Sequence, residues 1–126
     1  MSKPALRHLA IVARDPEALA RFYSELFSME VFHRDDDGSC FLSDGYLTLA
    51  LIAHRLDGDV PVGMNHFGFQ VEDVAATAAQ LQAMGADLPA ERHTTRPFAE
   101  YRAIDPEGNW FDLSAHGYGG SGAQHS

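Results

Sequence analysis

The sequence predicts an α+β protein: two tandem β-α-β-β-β modules whose strands form one curved mixed sheet around a cleft. Three observations lead there. The stretch His8-Leu9-Ala10-Ile11-Val12-Ala13-Arg14-Asp15 returns 58 positions later, without a gap, as His66-Phe67-Gly68-Phe69-Gln70-Val71-Glu72-Asp73. Each copy passes from period-two alternation into a helical pattern opened by an aspartate cap. Each helical pattern is followed by short strands separated by glycine turns.

The first strand spans Leu6–Arg14, with Leu9, Ile11 and Ala13 on one face and His8, Ala10 and Val12 on the other. Asp15 caps a helix with Pro16 at its first position and Glu17 in its first turn. The helix runs to about Phe27, and its expected packing stripe is Leu19, Phe22, Tyr23 and Leu26. Strands follow at Met29–Arg34, Ser39–Leu42 and Tyr46–Ala53, turned at Asp37-Gly38 and Asp44-Gly45. The acidic run Asp35-Asp36-Asp37 reads as a solvated turn, since only a loop holds it. A Gly/Pro-rich stretch, about 55–64, links the modules. In the second module, Asp73 caps a helix to about Met84, with Gly85 as its C-terminal stop. Strands then fall near Asp87–Arg92, Ala99–Ile104 and Trp110–Ala115, the last entered through Asp105-Pro106-Glu107-Gly108. The modules cover about 5–54 and 65–116 of a single domain, with a glycine-rich tail at 117–126.

One module leaves a sheet face uncovered, so two must share a core, as 126 residues allow. The helices are expected over the face carrying Leu9, Ile11, Phe67 and Phe69. The histidines then face the cleft beside small or polar neighbours, Ala10, Val12, Gly68 and Gln70, which leave room beside each imidazole. A net charge of -9 argues against nucleic acid or an anionic membrane as partner. Cys40 is the single cysteine, which excludes an intrachain disulfide. No apolar run approaches the roughly 18 residues of a membrane span, and no signal-peptide core precedes Arg7 and Arg14. The expected location is cytoplasmic.

These features resemble the vicinal oxygen chelate superfamily, the glyoxalase/bleomycin-resistance/extradiol dioxygenase fold. The resemblance rests on the His-led strands at 8 and 66, the helix opened by Asp15-Pro16-Glu17, and the turn Asp105-Pro106-Glu107-Gly108-Asn109 leading into Trp110-Phe111-Asp112-Leu113. It implies a divalent metal ion, with Fe, Mn, Zn and Ni unresolved, held by His8, His66 and Asp112. The fourth ligand of the four-ligand families would fall at Leu49 or Ala50, neither of which can bind metal. Two imidazoles and a carboxylate form a triad that leaves metal positions open to a substrate with adjacent oxygens.

The three-ligand branch most similar to this pattern is the extradiol-type dioxygenases. They carry an Arg-His pair matched by Arg92-His93, which implies His93 as acid/base. Their catalytic tyrosine is matched by Tyr101 only out of phase, with Arg102 at the aligned position. Fosfomycin thiol transferases fit less well, because Ala10 stands where they carry threonine. Glyoxalase- and epimerase-like enzymes use four ligands. The competing reading is a metal-free protein that binds or sequesters a small planar molecule among Trp110, Phe98, Tyr101 and Tyr46. The resemblance also implies a homodimer, in which His8 would share a metal with His66 and Asp112 of another copy.

Overall fold

The structure, a computed structural model, describes residues 4–92 and 101–115. Two modules follow one another: β1 (Ala5–Ala13), α1 (Pro16–Phe27), β2 (Glu30–Arg34), β3 (Cys40–Ser43) and β4 (Thr48–Ala53), then β5 (Gly63–Gln70), α2 (Val74–Ala83), β6 (Ala90–Glu91), β7 (Tyr101–Ile104) and β8 (Trp110–Ser114). They build one eight-stranded sheet in the order β2-β3-β4-β1-β5-β8-β7-β6. The two repeated strands lie antiparallel at its centre, and each is flanked by the parallel last strand of its own module. Among the described residues, no helix is long and apolar enough to cross a membrane.

Both helices start as the sequence dictates. The Asp15 carboxylate accepts the Ala18 N–H and the Asp73 carboxylate accepts the Ala76 N–H, each satisfying a donor that the first helical turn leaves open. Gly38 and Gly45 sit at φ 96° and 99°, as their hairpin turns require. In the acidic loop, Asp37 accepts the Ser39 N–H and Asp35 contacts His33, so these carboxylates serve the turn.

Alternation divides the strands between two faces. On the helix face Leu42, Leu49 and Leu51 pack with Leu9, Ile11 and Ala20 of α1. Burying one such leucine removes enough apolar surface from water to contribute about 1.5–3 kcal/mol. The second module repeats this with Val71, Ala103 and Leu113 against Val74 and Leu81 of α2. The opposite face carries Ala10, Phe41 and Ala50.

Three expectations are corrected. The stripe of α1 that packs is Pro16, Leu19, Ala20 and Tyr23, while Phe22 and Leu26 are exposed. Ala20, almost without side chain, lets the helix approach the sheet closely, and that contact sets the helix rotation. The strand expected at Asp87–Arg92 shrinks to Ala90–Glu91, the two residues that pair with β7 among the described residues. The central strand of the second module begins at Gly63, inside the expected linker, where it pairs with Val12.

Candidate metal centre

Strand register lines up the cleft-face residues in a row. Thr48 pairs with His8, His8 with Gly68, Gly68 with Asp112 and Asp112 with Arg102. His8 and Asp112 are therefore two strands apart, about 9–10 Å along the sheet at the usual interstrand spacing. Their side chains nonetheless approach to 3.9 Å. They meet across Gly68, which contributes no side chain to this face.

His66 reaches the same point from one residue pair along. The β1–β5 ladder slips there, from Ala10 opposite His66 to Ile11 opposite Met64, which leaves Asn65 as an extra residue. A bulge of this kind re-aims side chains. Asn65 and His66, neighbours that simple alternation would send to opposite faces, both line the cavity. The Asn65 Oδ1 lies 2.7 Å from His66 Nδ1 and accepts its N–H. That contact orients the ring so that Nε2 faces the cluster, the arrangement by which protein groups fix a metal-ligating imidazole.

His8 Nε2, His66 Nε2 and Asp112 Oδ2 form a compact triangle. The nitrogens are 3.4 Å apart, and the oxygen is 3.1 Å from His66 and 3.9 Å from His8. The circle through the three atoms has a radius of about 2.0 Å, close to the 2.0–2.2 Å of metal bonds to imidazole and carboxylate. Asp112 is fully buried, yet neither of its oxygens receives an aligned hydrogen bond from a described residue. The guanidiniums of Arg92 and Arg102 stand 3.6 and 3.8 Å from its Oδ1, while its Oδ2 faces the two imidazoles. The donor set and its orphaned oxygens fit a divalent ion.

The structure thus brings together His8, His66 and Asp112, and they are the cluster of metal-binding side chains among the described residues. It does so within one chain. Ala50 pairs with Ala10, as Asp112 pairs with Gly68 at the repeat-equivalent place. Of the two candidate positions for a fourth ligand, Ala50 therefore faces the cleft, while Leu49 packs beneath α1.

Tyr101 is placed elsewhere. It pairs with Leu113 and packs against Val71 and Ala103 on the helix face. Strand alternation gives the cleft position to Arg102, so the group of β7 that meets the cavity is a guanidinium. Of the other aromatics proposed for the cleft, Trp110 lines it, and its ring lies 4.9 Å from that of His66. Tyr46 is exposed at the mouth of a loop, under the Arg7 guanidinium. His93 and Phe98 lie outside the described residues.

The cluster forms one end of a cavity of about 260 Å³. Ala10, Val12, Ala50, Ile52 and Val60 give it apolar walls, and Arg55, Arg92 and Arg102 bring positive charge. Arg102 lies flat on Trp110, its guanidinium carbon 3.2 Å from the ring centroid. Burial lowers its pKa from the ordinary arginine value, and the nearby charge of Arg92 adds to the effect. Sequence reading missed Asn65, because the bulge that turns it inward has no signature in alternation. It noticed Arg102 but gave it no role, although its pairing with Asp112 follows from the face that Asp112 shares.

Residues 8–114 match the glyoxalase-like domain family. The chain belongs to that family. With it the chain is a member of the vicinal oxygen chelate superfamily. No curated protein matches the sequence significantly. Among solved structures, a hypothetical protein of Bacillus halodurans C-125 superposes with a TM-score of 0.66 at 16% identity, covering 89% of this chain and 94% of that one. A variant of Streptomyces coelicolor methylmalonyl-CoA epimerase, in complex with 2-nitronate-propionyl-CoA, gives 0.62 at 26% identity, over 90% and 96%. The 2,3-dioxygenase LapB of Pseudomonas sp. KL28 gives 0.68 at 20% identity, over 87% of this chain and 40% of that longer one. The glyoxalase-like chain thus shares its fold with proteins of different chemistry, and its own site must distinguish among them.

Proposed function

We propose that this glyoxalase-like protein is a metal-dependent enzyme of the three-ligand type, most like an extradiol-type dioxygenase, acting on a small substrate with adjacent oxygens. One observation carries the reading. A buried carboxylate without aligned hydrogen bonds faces two imidazole nitrogens at 3.1 and 3.9 Å, in a triangle of metal-ligand size. His8, His66 and Asp112 would hold the ion, and Asn65 would keep His66 in the ligating tautomer. A bound divalent ion supplies Lewis acidity and a point of attachment for two substrate oxygens.

The apolar walls exclude water from the substrate, and Trp110 offers a flat surface beside His66. His93, the residue after cavity-lining Arg92, is the candidate for proton transfer to a substrate oxygen. With Ala50 at the place of a fourth ligand, three protein ligands leave more of the metal open than four would. This favours a chemistry in which substrate and a second small molecule both need room, and disfavours four-ligand isomerisation.

Elemental analysis of protein purified without chelator tests the reading. Wild type should carry a stoichiometric divalent ion, and His66→Ala should lose it while retaining its circular dichroism spectrum. Absence of metal from wild type, before and after incubation with Fe, Mn, Zn or Ni, would overturn the proposal and favour the metal-free binder. Oxygen uptake by the Fe(II)-loaded protein on addition of a catechol would separate ring cleavage from isomerase chemistry, which consumes none.

A further inference from the structure

We infer that the cavity beside the ligand cluster takes a small organic carboxylate, its charge held by Arg92 and Arg102 and its apolar body lying against Val12, Ile52 and Val60. This deepens the function proposed above. It rests on the metal reading for what happens to the substrate, though not for how its charge is held.

The charge distribution points there first. The protein has 18 acidic and nine basic residues, yet among the described residues three arginines, Arg92, Arg102 and the Asp57-paired Arg55, line this cavity with one carboxylate, Asp112. An acidic molecule has gathered a third of its cations around one small space. Local charge of one sign in a low-dielectric cleft raises the concentration of the opposite ion there.

Among the described residues, the arginines also lack a close acceptor. Arg92 Nη1 and Arg102 Nε stand 3.6 and 3.8 Å from the same oxygen, Asp112 Oδ1, too far to form good hydrogen bonds. Asp112 cannot neutralise both, since its other oxygen lies between the two imidazoles. Arg102 Nε and Trp110 Nε1 are buried, and neither has a hydrogen-bond acceptor among the described residues. Two guanidiniums at half-buried positions thus share the single charge of Asp112, and a second anion would balance the other. Their planar forks match a carboxylate, which can accept two parallel N–H donors.

Size and polarity set the rest. Apolar side chains make the wall away from the arginines. The cavity of about 260 Å³ lies at the low end of small-molecule sites, which run from about 300 to 1,000 Å³, and so suits a small ligand. Benzoate has this size, and benzamide is its neutral isostere.

The single tryptophan, Trp110, stacked beneath Arg102, reports occupancy directly. Metal-free and metal-loaded protein are each titrated with benzoate, benzamide and inorganic phosphate by Trp110 fluorescence. Saturable binding of benzoate to the metal-free protein, at least tenfold tighter than benzamide or phosphate, is the expected result. By calorimetry, Arg92→Gln and Arg102→Gln should each weaken benzoate at least tenfold, and Arg92→Lys should recover part of the loss. Should Arg102→Gln not fold, the two Arg92 variants decide. Equal affinity for benzamide, equal affinity for phosphate, or unchanged benzoate affinity in a folded Arg92→Gln would each overturn the inference. So would benzoate binding that requires metal and ignores Arg92. Metal uptake without benzoate binding refutes the carboxylate site alone, whereas benzoate binding without metal uptake refutes the metal reading alone.

Discussion

Replacing Asn65 with alanine is the sharpest probe of the metal-centre reading, because it replaces none of the proposed ligands. The perturbation removes one contact: the 2.7 Å hydrogen bond between Asn65 Oδ1 and His66 Nδ1. Without that acceptor the imidazole loses its preference for the tautomer and orientation that present Nε2 to the cluster. Losing such an outer partner costs about 10–100-fold in metal affinity, or about 1.4–2.7 kcal/mol. The measurable consequence follows from mass action. At a free metal concentration about 100 times the wild-type Kd, metal stabilises the fold by about 2.7 kcal/mol. A tenfold weaker variant keeps about 1.4 kcal/mol of this and a hundredfold weaker one only about 0.4 kcal/mol. Denaturant unfolding with and without metal reads the difference, and competition with a chromophoric chelator gives the affinities. The metal-free proteins should differ far less, by about 0.5–1.5 kcal/mol for one hydrogen bond. An Asn65→Ala protein with the full metal-linked stabilisation, beside a His66→Ala protein that has lost it, would refute the role assigned to Asn65.

Two further predictions concern Gly68 and Glu17. Gly68→Val should leave the fold intact, since valine suits a strand, yet abolish stoichiometric metal binding by placing a branched side chain between His8 and Asp112; unchanged metal content would show that the two do not meet across this position. The Glu17 carboxyl, paired through two hydrogen bonds with Arg34 and contacted by Cys40, has its pKa lowered to about 2 from 4.5. A depressed folded-state pKa means that this pair stabilises the protein above pH 4.5 and loses its effect as pH falls towards 2. Wild type and Arg34→Met should therefore differ in stability at neutral pH and converge at the acid end. An NMR titration that found Glu17 near 4.5 in wild type would contradict the pairing.

The members of the His8, His66 and Asp112 cluster were named in the sequence through a family resemblance, and the repeat supported two of them for a specific reason. Two histidines at equivalent places of a repeat must share a face of the sheet when the repeat folds the same way twice. Asp112 was added because the resemblance implied a carboxylate there, and parity with Trp110 and Ser114 agreed by placing it on the cleft side. The same parity places Arg102 towards the cavity and Tyr101 towards the helix, as the structure shows. The exposed Phe22 and Leu26 were not legible. A helix rich in apolar residues offers several adjacent stripes, and the sequence does not say which one the sheet will cover.

The sequence by itself determined what depends on near neighbours: strand alternation, aspartate caps, glycine turns and the repeat that makes one module the counterpart of the other. Only the tertiary structure decided what depends on register. His8 and Asp112 are 104 positions apart in the chain and two strands apart in the sheet, and they meet because Gly68 stands between them. Asn65 turns inward because the central ladder slips by one residue. The fourth-ligand position is Ala50 because the first module pairs it opposite Ala10. Pairings of this kind are set by how whole strands fit together: alternation fixes the face a residue takes, but a shift of two residues keeps that face, and only the partner strand decides between such registers.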